Sequence, residues 1–195
     1  MESKPLSLDP LSTALVLIDL QRGIVSRDTK PHTAADVVAR AASLTKAFRQ
    51  RGALVVLVHV QFAPDLADRL IPEADAAMAS APMSPEWSEI VPDLGSDPRD
   101  VVIRKRNWGA FYGTDLDLQL RRRNIHTIVL GGIATNFGVE STARDAYERA
   151  YEQVFVEDAT ASMSGEMHSF VMSNIFPRIG RVRSTADVLA AIGPS

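Results

Sequence analysis

Val129-Leu-Gly-Gly-Ile-Ala-Thr-Asn-Phe-Gly-Val-Glu-Ser-Thr-Ala-Arg-Asp-Ala-Tyr147, the stretch VLGGIATNFGVESTARDAY, decides the fold. An apolar, β-rich run (Ile128, Val129, Leu130) stops at Gly131-Gly132, and after a short polar turn an amphipathic helix begins near Val139 and runs to Tyr151. The turn therefore lies at the carboxyl end of a central strand, which is where open α/β sheets bind ligands. Gly138 falls at the first turn of that helix, the place where a strand-to-helix elbow presents a nucleophile and where backbone N–H groups face an anion. A glycine there offers backbone and no side chain. The plainer reading, that Gly131, Gly132 and Gly138 only permit tight turns and close helix-to-strand packing, stays open at this point.

Working outward, the rest of the chain alternates strand with helix. Thr13 to Asp19 (TALVLID) is continuously apolar and β-branched, the pattern of a strand buried on both faces, and it ends on a carboxylate. A polar loop follows. Thr33 with Asp36 then has the spacing of a helix start, Val37, Leu44 and Phe48 recur at helical intervals, and Gly52 ends the helix. Ala53 to Val60 is a second buried strand, so the first three elements make a right-handed βαβ unit.

Residues 62–100, rich in Pro, Ala, Met and acid, read as a long excursion over the active face with a short helix near Leu66 to Ala79. Loops of that length in compact domains serve as lids or binding loops about as often as they are surface insertions. Asp100 to Arg104 is a third strand that runs into Lys105. The segment RNWGAFYGT then crowds Trp108, Phe111 and Tyr112 between glycines. Thr114 caps a helix over Asp115 to Arg123, and His126 to Leu130 is the fourth strand. Gln153 to Glu157 is the fifth, a helix over Ser164 to Ile175 precedes Pro177, and Ile179 to Val182 is the sixth. Ser184 with Asp187 is a capping box that starts the last helix. The alternation predicts a three-layer α/β/α, Rossmann-like domain around a six-stranded, mostly parallel sheet.

The bulk numbers bound the function. A chain of 195 residues, 46% apolar and 23% charged, suits one domain spanning residues 1–195 with a substantial core. A net charge of -3 gives no electrostatic footprint for nucleic acid; of the basic runs 104–106 and 121–123, the second falls at the end of a helical segment and reads as a solvated cap. There are no cysteines, which removes disulfides, thiolate metal sites and any cysteine nucleophile together. The N-terminal sequence lacks the pattern of a signal peptide, and no apolar run approaches a membrane span. A cytoplasmic protein with no membrane partner is the expectation.

Asp19, Lys105 and the elbow at 131–138 all sit at strand tips, and in a parallel sheet those tips open on one edge. A carboxylate beside an ammonium in a dry cleft has its acidity pulled two ways, burial raising the pKa and the cation lowering it. Such a pair suits proton transfer. On the blocks LVLIDLQ around Asp19 and Gln21, KRNWGAFYGTDL from Lys105, and GGIATNFGVESTARDAY ending at Tyr147, the chain resembles the isochorismatase-like cysteine hydrolases. That family includes nicotinamidases, carbamoylsarcosine-type amidohydrolases and isochorismatases, and the resemblance extends from about Thr13 to Ile192.

The resemblance implies an Asp–Lys–Cys triad, in which Asp19 and Lys105 take the first two places and Gly138 stands where the cysteine would be. It also implies a cis peptide joining Ile133 to Ala134, and an oxyanion hole from the N–H groups of Ala134 and Gly138. Gln21, Ile133, Trp108, Phe111, Tyr112 and Phe137 join them as expected substrate-contacting positions. The true isochorismatases of the family also lack the cysteine and carry glycine there, and they hydrolyse an enol ether, which needs an acid and a water but no protein nucleophile. This chain, though, keeps ATNFG at the elbow, nearer to the cysteine members.

Ser141 and Thr142 lie too far into the helix to replace the thiol. The nicotinamidase metal site needs an Asp and two His after the second strand, where this chain has only His59, so no metal and no cofactor are expected. His32, His126 and His168 read as scattered surface or cap residues. The expected function is a cysteine-less hydrolase of a small metabolite, enol ether or amide-like, working by Asp19/Lys105 acid–base chemistry and assembled as a homo-oligomer, a dimer or tetramer. The other reading is a degenerate metabolite-binding or assembly module of the same fold.

Overall fold

In a computed structural model that describes residues 5–76 and 84–193, the strands form one sheet in the order β3-β2-β1-β4-β5-β6, every pair parallel. They are β1 (Thr13–Ile18), β2 (Leu54–Val60), β3 (Val101–Lys105), β4 (Thr127–Ile133), β5 (Glu152–Ala161) and β6 (Arg181–Arg183). The helices are α1 (Arg22–Val25), α2 (Ala34–Gln50), α3 (Leu116–Arg121), α4 (Glu140–Glu148), α5 (Gly165–Phe170), α6 (Phe176–Ile179) and α7 (Thr185–Ala191). The chain winds outward from β1 to β3, returns to β4 on the other side of β1, and continues outward to β6. The point of reversal, between β1 and β4, is where open α/β sheets bind ligands at the carboxyl ends of the strands.

Alternation along each strand builds two cores. Leu15 and Leu17 of β1, with Val55, Leu57, Val129 and Val156, face Val37, Leu44 and Phe48 of α2 and Val188 of α7. Ala14, Val16 and Ile18, with Val56, Val58, Ile128 and Leu130, face Leu116 and Leu120 of α3 and Ala143 and Ala146 of α4. All six residues of β1 are buried, as a strand covered on both faces must be. Each fully buried Leu, Ile or Val contributes about 1.5–3 kcal/mol relative to exposure, so β1 is fixed in place and its tip with it.

The helix starts follow the local signals. Thr33 Oγ1 accepts from Asp36 N–H, Ser164 Oγ from Met167 N–H, and Ser184 with Asp187 closes the reciprocal capping box. Thr114 Oγ1 accepts from Leu116 N–H, although the helix itself opens with Asp115 as its flanking residue. At the other end of α2, Gly52 takes φ +71, the left-handed conformation that ends helices.

Three expectations are corrected. β4 does not stop at Gly131-Gly132 but runs through to Ile133, paired with β1 up to Ile18↔Gly132. Gly132 has φ +120, and a Cβ there would lie 2.1 Å from the Ile18 carbonyl oxygen, so the glycine permits the strands to close rather than ending one. No helix forms over the described part of the 66–79 stretch, residues 66–76, and the remainder lies outside the described residues. Leu66 is left-handed at φ +58, and the Asp65 carboxylate accepts from Ala67 N–H, a local turn that competes with helix. Pro177 does not end the helical segment: it sits in the first turn of α6, where its missing N–H costs nothing.

The excursion after β2 returns to the sheet's carboxyl edge. Ile90 bridges Gln21, Val91 N–H donates to the Leu20 carbonyl, and the Trp87 ring lies over Gly23, where a Cβ would stand 2.0 Å from it. Among the described residues no helix is long and apolar enough to cross a membrane.

Candidate active site

Asp19 follows β1 directly, and its φ of +55 is left-handed, a conformation that a short polar residue tolerates better than most. Its N–H donates to the Val58 carbonyl at 2.9 Å, which fixes the turn against β2. Lys105 is the last residue of β3, in register with Val60 of β2. Its side chain reaches across the tip of β2, so that Nζ lies 2.8 Å from Asp19 Oδ2 and donates to the Trp108 carbonyl at 2.5 Å. The lysine side chain is 0% exposed and the aspartate 8%.

Burying both charges is costly, and only close pairing with further hydrogen bonds offsets it. Lys105 has those bonds. Asp19 has one oxygen paired, while Oδ1 is buried with no hydrogen-bond partner among the described residues. Burial pushes the carboxyl from 3.8 up to about 6, against the opposing pull of the Lys105 charge and hydrogen bond and a smaller pull from His59. The site thus holds an acid whose pKa is raised well toward neutrality, so that about a tenth of it keeps its proton at pH 7, with one oxygen left unpaired.

The elbow closes the third side. β4 ends at Ile133, the peptide bond to Ala134 is cis, and a π-helical turn over Thr135–Val139 leads into α4. Gly138 is buried. A Cβ built on it would lie 3.0 Å from each of Asp19 Oδ2, Lys105 Nζ and Ile18 Cγ2. The acid, the amine and the side-chain-free corner, distant in sequence, are therefore neighbours.

Thr142 is excluded as a substitute nucleophile by its bonds. Its hydroxyl donates to the Gly138 carbonyl at 2.7 Å and accepts from Ala110 N–H at 3.1 Å, and the residue is fully buried. It holds the elbow to the loop after β3.

The remaining expected contacts divide. Trp108 and Phe137 meet edge to face with centroids 4.9 Å apart, which places them together beside the elbow, and half of Trp108 is exposed. Ile133 and Ala134 are buried at the end of β4. Gln21 is not free for a ligand: its amide donates to the Val60 and Trp87 carbonyls and accepts from Val60 N–H. Phe111 is buried in the core against Tyr151 with the Arg149 guanidinium over its ring, so it supports the loop from inside. Tyr112, by contrast, is largely exposed. His59, considered only for metal, donates through Nδ1 to the Ser88 carbonyl and adds a positive influence on Asp19.

The histidines are not all scattered. His126 is exposed, but His168 is buried, with Nδ1 2.8 Å from Thr135 Oγ1 in the elbow and Nε2 3.3 Å from Glu157 Oε1. His32 Nε2 lies 3.2 Å from the same carboxylate oxygen. Burial lowers the pKa of His168, and Glu157 opposes this. The meeting escaped the sequence because the three residues lie on a loop, a strand and a helix, with no spacing pattern among them. A polar residue at the position where α5 turns inward was the one available sign.

The model of the isochorismatase domain matches residues 13–187. An uncharacterized isochorismatase family protein, YecD of Escherichia coli O157:H7, is 48% identical over 187 residues, covering 96% of this chain and 100% of that protein. The ureidoacrylate amidohydrolase RutB of Methylobacterium radiotolerans is 29% identical, covering 97% of this chain and 83% of that one. Among solved structures, an isochorismatase family protein from Burkholderia thailandensis superposes with a TM-score of 0.92 at 50% identity, covering 96% of this chain and 98% of the other. From the match over nearly its whole length, the chain belongs to the isochorismatase family.

Proposed function

We propose that this protein is a hydrolase that works without a sulfur nucleophile, acting on a small metabolite through Asp19 as the acid and Lys105 as the cation that holds and tunes it. The observation that carries this reading is the buried Asp19–Lys105 pair whose second carboxylate oxygen has no partner, set beside position 138 with no side chain. A merely structural ion pair has no need of an orphaned buried oxygen, which costs about 1–3 kcal/mol. A substrate group or water that engages Oδ1 removes that cost.

An enol ether suits these parts best. Asp19 transfers its proton to the terminal vinyl carbon, the double-bond electrons form the new C–H bond, and positive charge develops on the carbon bearing oxygen. Water adds to that carbon and returns a proton to the carboxylate. The hemiketal then breaks its C–O bond to give a ketone and an alcohol, consuming one water in all. Gly138 puts no side chain against the acid and the amine, in a corner where even a Cβ would lie 3.0 Å from both, and the N–H groups of Ala134 and Gly138 serve as donors to a developing oxyanion if the bond is amide-like.

The amidohydrolase activity named for RutB supports keeping amide-like substrates in view. Trp108 and Phe137 flank the substrate in this reading, and if the protein assembles as a dimer or tetramer, exposed Trp108 is a residue that a second copy would cover.

The test is a panel of isochorismate and related enol ethers, scored by pyruvate release, and of ureido and carbamoyl amides, scored by ammonia release. It is run with the wild type and Asp19→Asn. Turnover lost in the variant by about 100-fold or more fits an acid role. Undiminished turnover removes Asp19 from the mechanism, and no turnover on any member favours a binding module.

A further inference from the structure

We infer that His32, Glu157 and His168 form a binding site for a divalent transition metal, best suited to zinc, which ties the loop after α1, strand β5 and helix α5 to the elbow. The potential ligand atoms, one from each residue, all lie within 4.8 Å of one another. Glu157 Oε1 stands 3.2 Å from His32 Nε2 and 3.3 Å from His168 Nε2. Ligands at zinc bond lengths of about 2.0–2.1 Å in a tetrahedron are separated by roughly 3.3 Å. Two of the edges already have that length, so little movement is needed to admit the ion.

The surroundings are those of a built site. His168 Nδ1 is 2.8 Å from Thr135 Oγ1, and Thr135 is itself fully buried. With its proton on Nδ1, donated to that hydroxyl, His168 presents the Nε2 lone pair toward Glu157 and His32, and an outer partner of this kind fixes the orientation of most metal-binding histidines. The His32 loop is held independently. Its carbonyl accepts from the Thr29 hydroxyl at 2.9 Å, and Lys30 exchanges backbone hydrogen bonds with Ser162, at 2.6 and 2.8 Å. The partial exposure of His32 and Glu157 gives an ion a way in and leaves room for a water as the fourth ligand. Two imidazoles and one carboxylate favour zinc, copper or iron over magnesium or calcium, which take oxygen ligands.

The experiment uses the full chain, stripped with a chelator and titrated calorimetrically with zinc, and with magnesium as a control, alongside His32→Ala, Glu157→Gln and Thr135→Val. Circular dichroism and melting of the metal-free variants verify folding. The expected result is one zinc per chain, no heat with magnesium, and a zinc-dependent rise in melting temperature. The ligand variants should lose affinity by at least about 100-fold and Thr135→Val by about 10- to 100-fold.

Glu157→Gln is the discriminating variant, because its amide oxygen still accepts from both imidazoles and preserves a purely hydrogen-bonded cluster. If folded wild-type protein takes up no zinc, or if the folded ligand variants bind it equally well, the site is a hydrogen-bond cluster and the inference is overturned. The readout is metal uptake rather than turnover, so it stands or falls apart from the hydrolase reading.

Discussion

Lys105 Nζ and Asp19 Oδ2 meet at 2.8 Å across the tip of the intervening strand, the amine wholly buried and the carboxylate nearly so. Removing one member of such a pair strands the other charge. Lys105→Met is expected to cost about 3–5 kcal/mol in denaturant unfolding, the range for breaking a buried ion pair, and Asp19→Asn combined with Lys105→Met to recover a substantial part of it. A single-variant loss below about 1 kcal/mol would mean that the pair is solvated in solution, since that is the range for exposed pairs.

The protonation of Asp19 gives a second check that needs no substrate. Burial holds its carboxyl up at about 6 although Lys105 pulls it down, so a carboxyl-labelled NMR titration should place it well above the ordinary carboxylate value of about 3.9. In Lys105→Met the pull disappears and the pKa should rise further. In the proposed mechanism the acid form is the active one, so kcat/KM should be level below pH 6 and fall about tenfold per unit above it. Linkage has the same sign: with the folded pKa above the unfolded one, this group's contribution to stability is full below the unfolded value and is lost as pH rises through about 6. An Asp19 that titrates near 4 contradicts all three.

The sheet was legible because continuous apolar runs such as TALVLID and ALVVLVHV belong to strands covered on both faces, and because Thr33, Ser164 and Ser184 mark helix starts chemically. The facing of Asp19 and Lys105 was legible once the strands were parallel, since their tips then share an edge. What composition hides is how a side chain spends its hydrogen bonds. Gln21 reads like a ligand contact and is consumed by backbone groups, while Phe111 sits in an aromatic cluster by sequence and in the core by structure. The length of β4 was hidden as well, because glycine reads as a terminator until the neighbouring carbonyl that requires it is known. The meeting of His32, Glu157 and His168 depends on tertiary contacts alone.

Gly132 and Gly52 separate close approach from mere conformational freedom. Both have positive φ, but a Cβ at Gly132 would stand 2.1 Å from a backbone oxygen, whereas nothing among the described residues lies within 4 Å at Gly52. Gly52→Ala should cost about 1–2 kcal/mol, the left-handed penalty alone. Gly132→Ala must also part β1 from β4 at the candidate site, so it should unfold the protein or cost more than about 4 kcal/mol, beyond the ordinary range of single substitutions. Equal melting temperatures for the two variants would show that the strand tips are looser than described.

Restoring sulfur at the elbow tests the geometry of the corner itself. The side chain of Gly138→Cys would start 3.0 Å from Asp19 Oδ2, Lys105 Nζ and Ile18 Cγ2, so its neighbours must yield by a few tenths of an ångström, and two of them are side-chain ends that can. The thiol then faces two opposed influences: the Lys105 ammonium and the start of α4 favour the thiolate, while the Asp19 carboxylate disfavours it. The ammonium lies as close to the position as the carboxylate does, and the free N–H groups at the start of the helix add to its side, which leaves the positive influence dominant. Alkylation near neutral pH should therefore be about tenfold faster than for a free thiol whose pKa is near 8.5, and the rate should fall back in Gly138→Cys combined with Lys105→Met. A thiol that reacts no faster than a free one, in a protein that melts like the wild type, would mean that position 138 does not face the Asp19–Lys105 pair, and the proposed site would lose its third side.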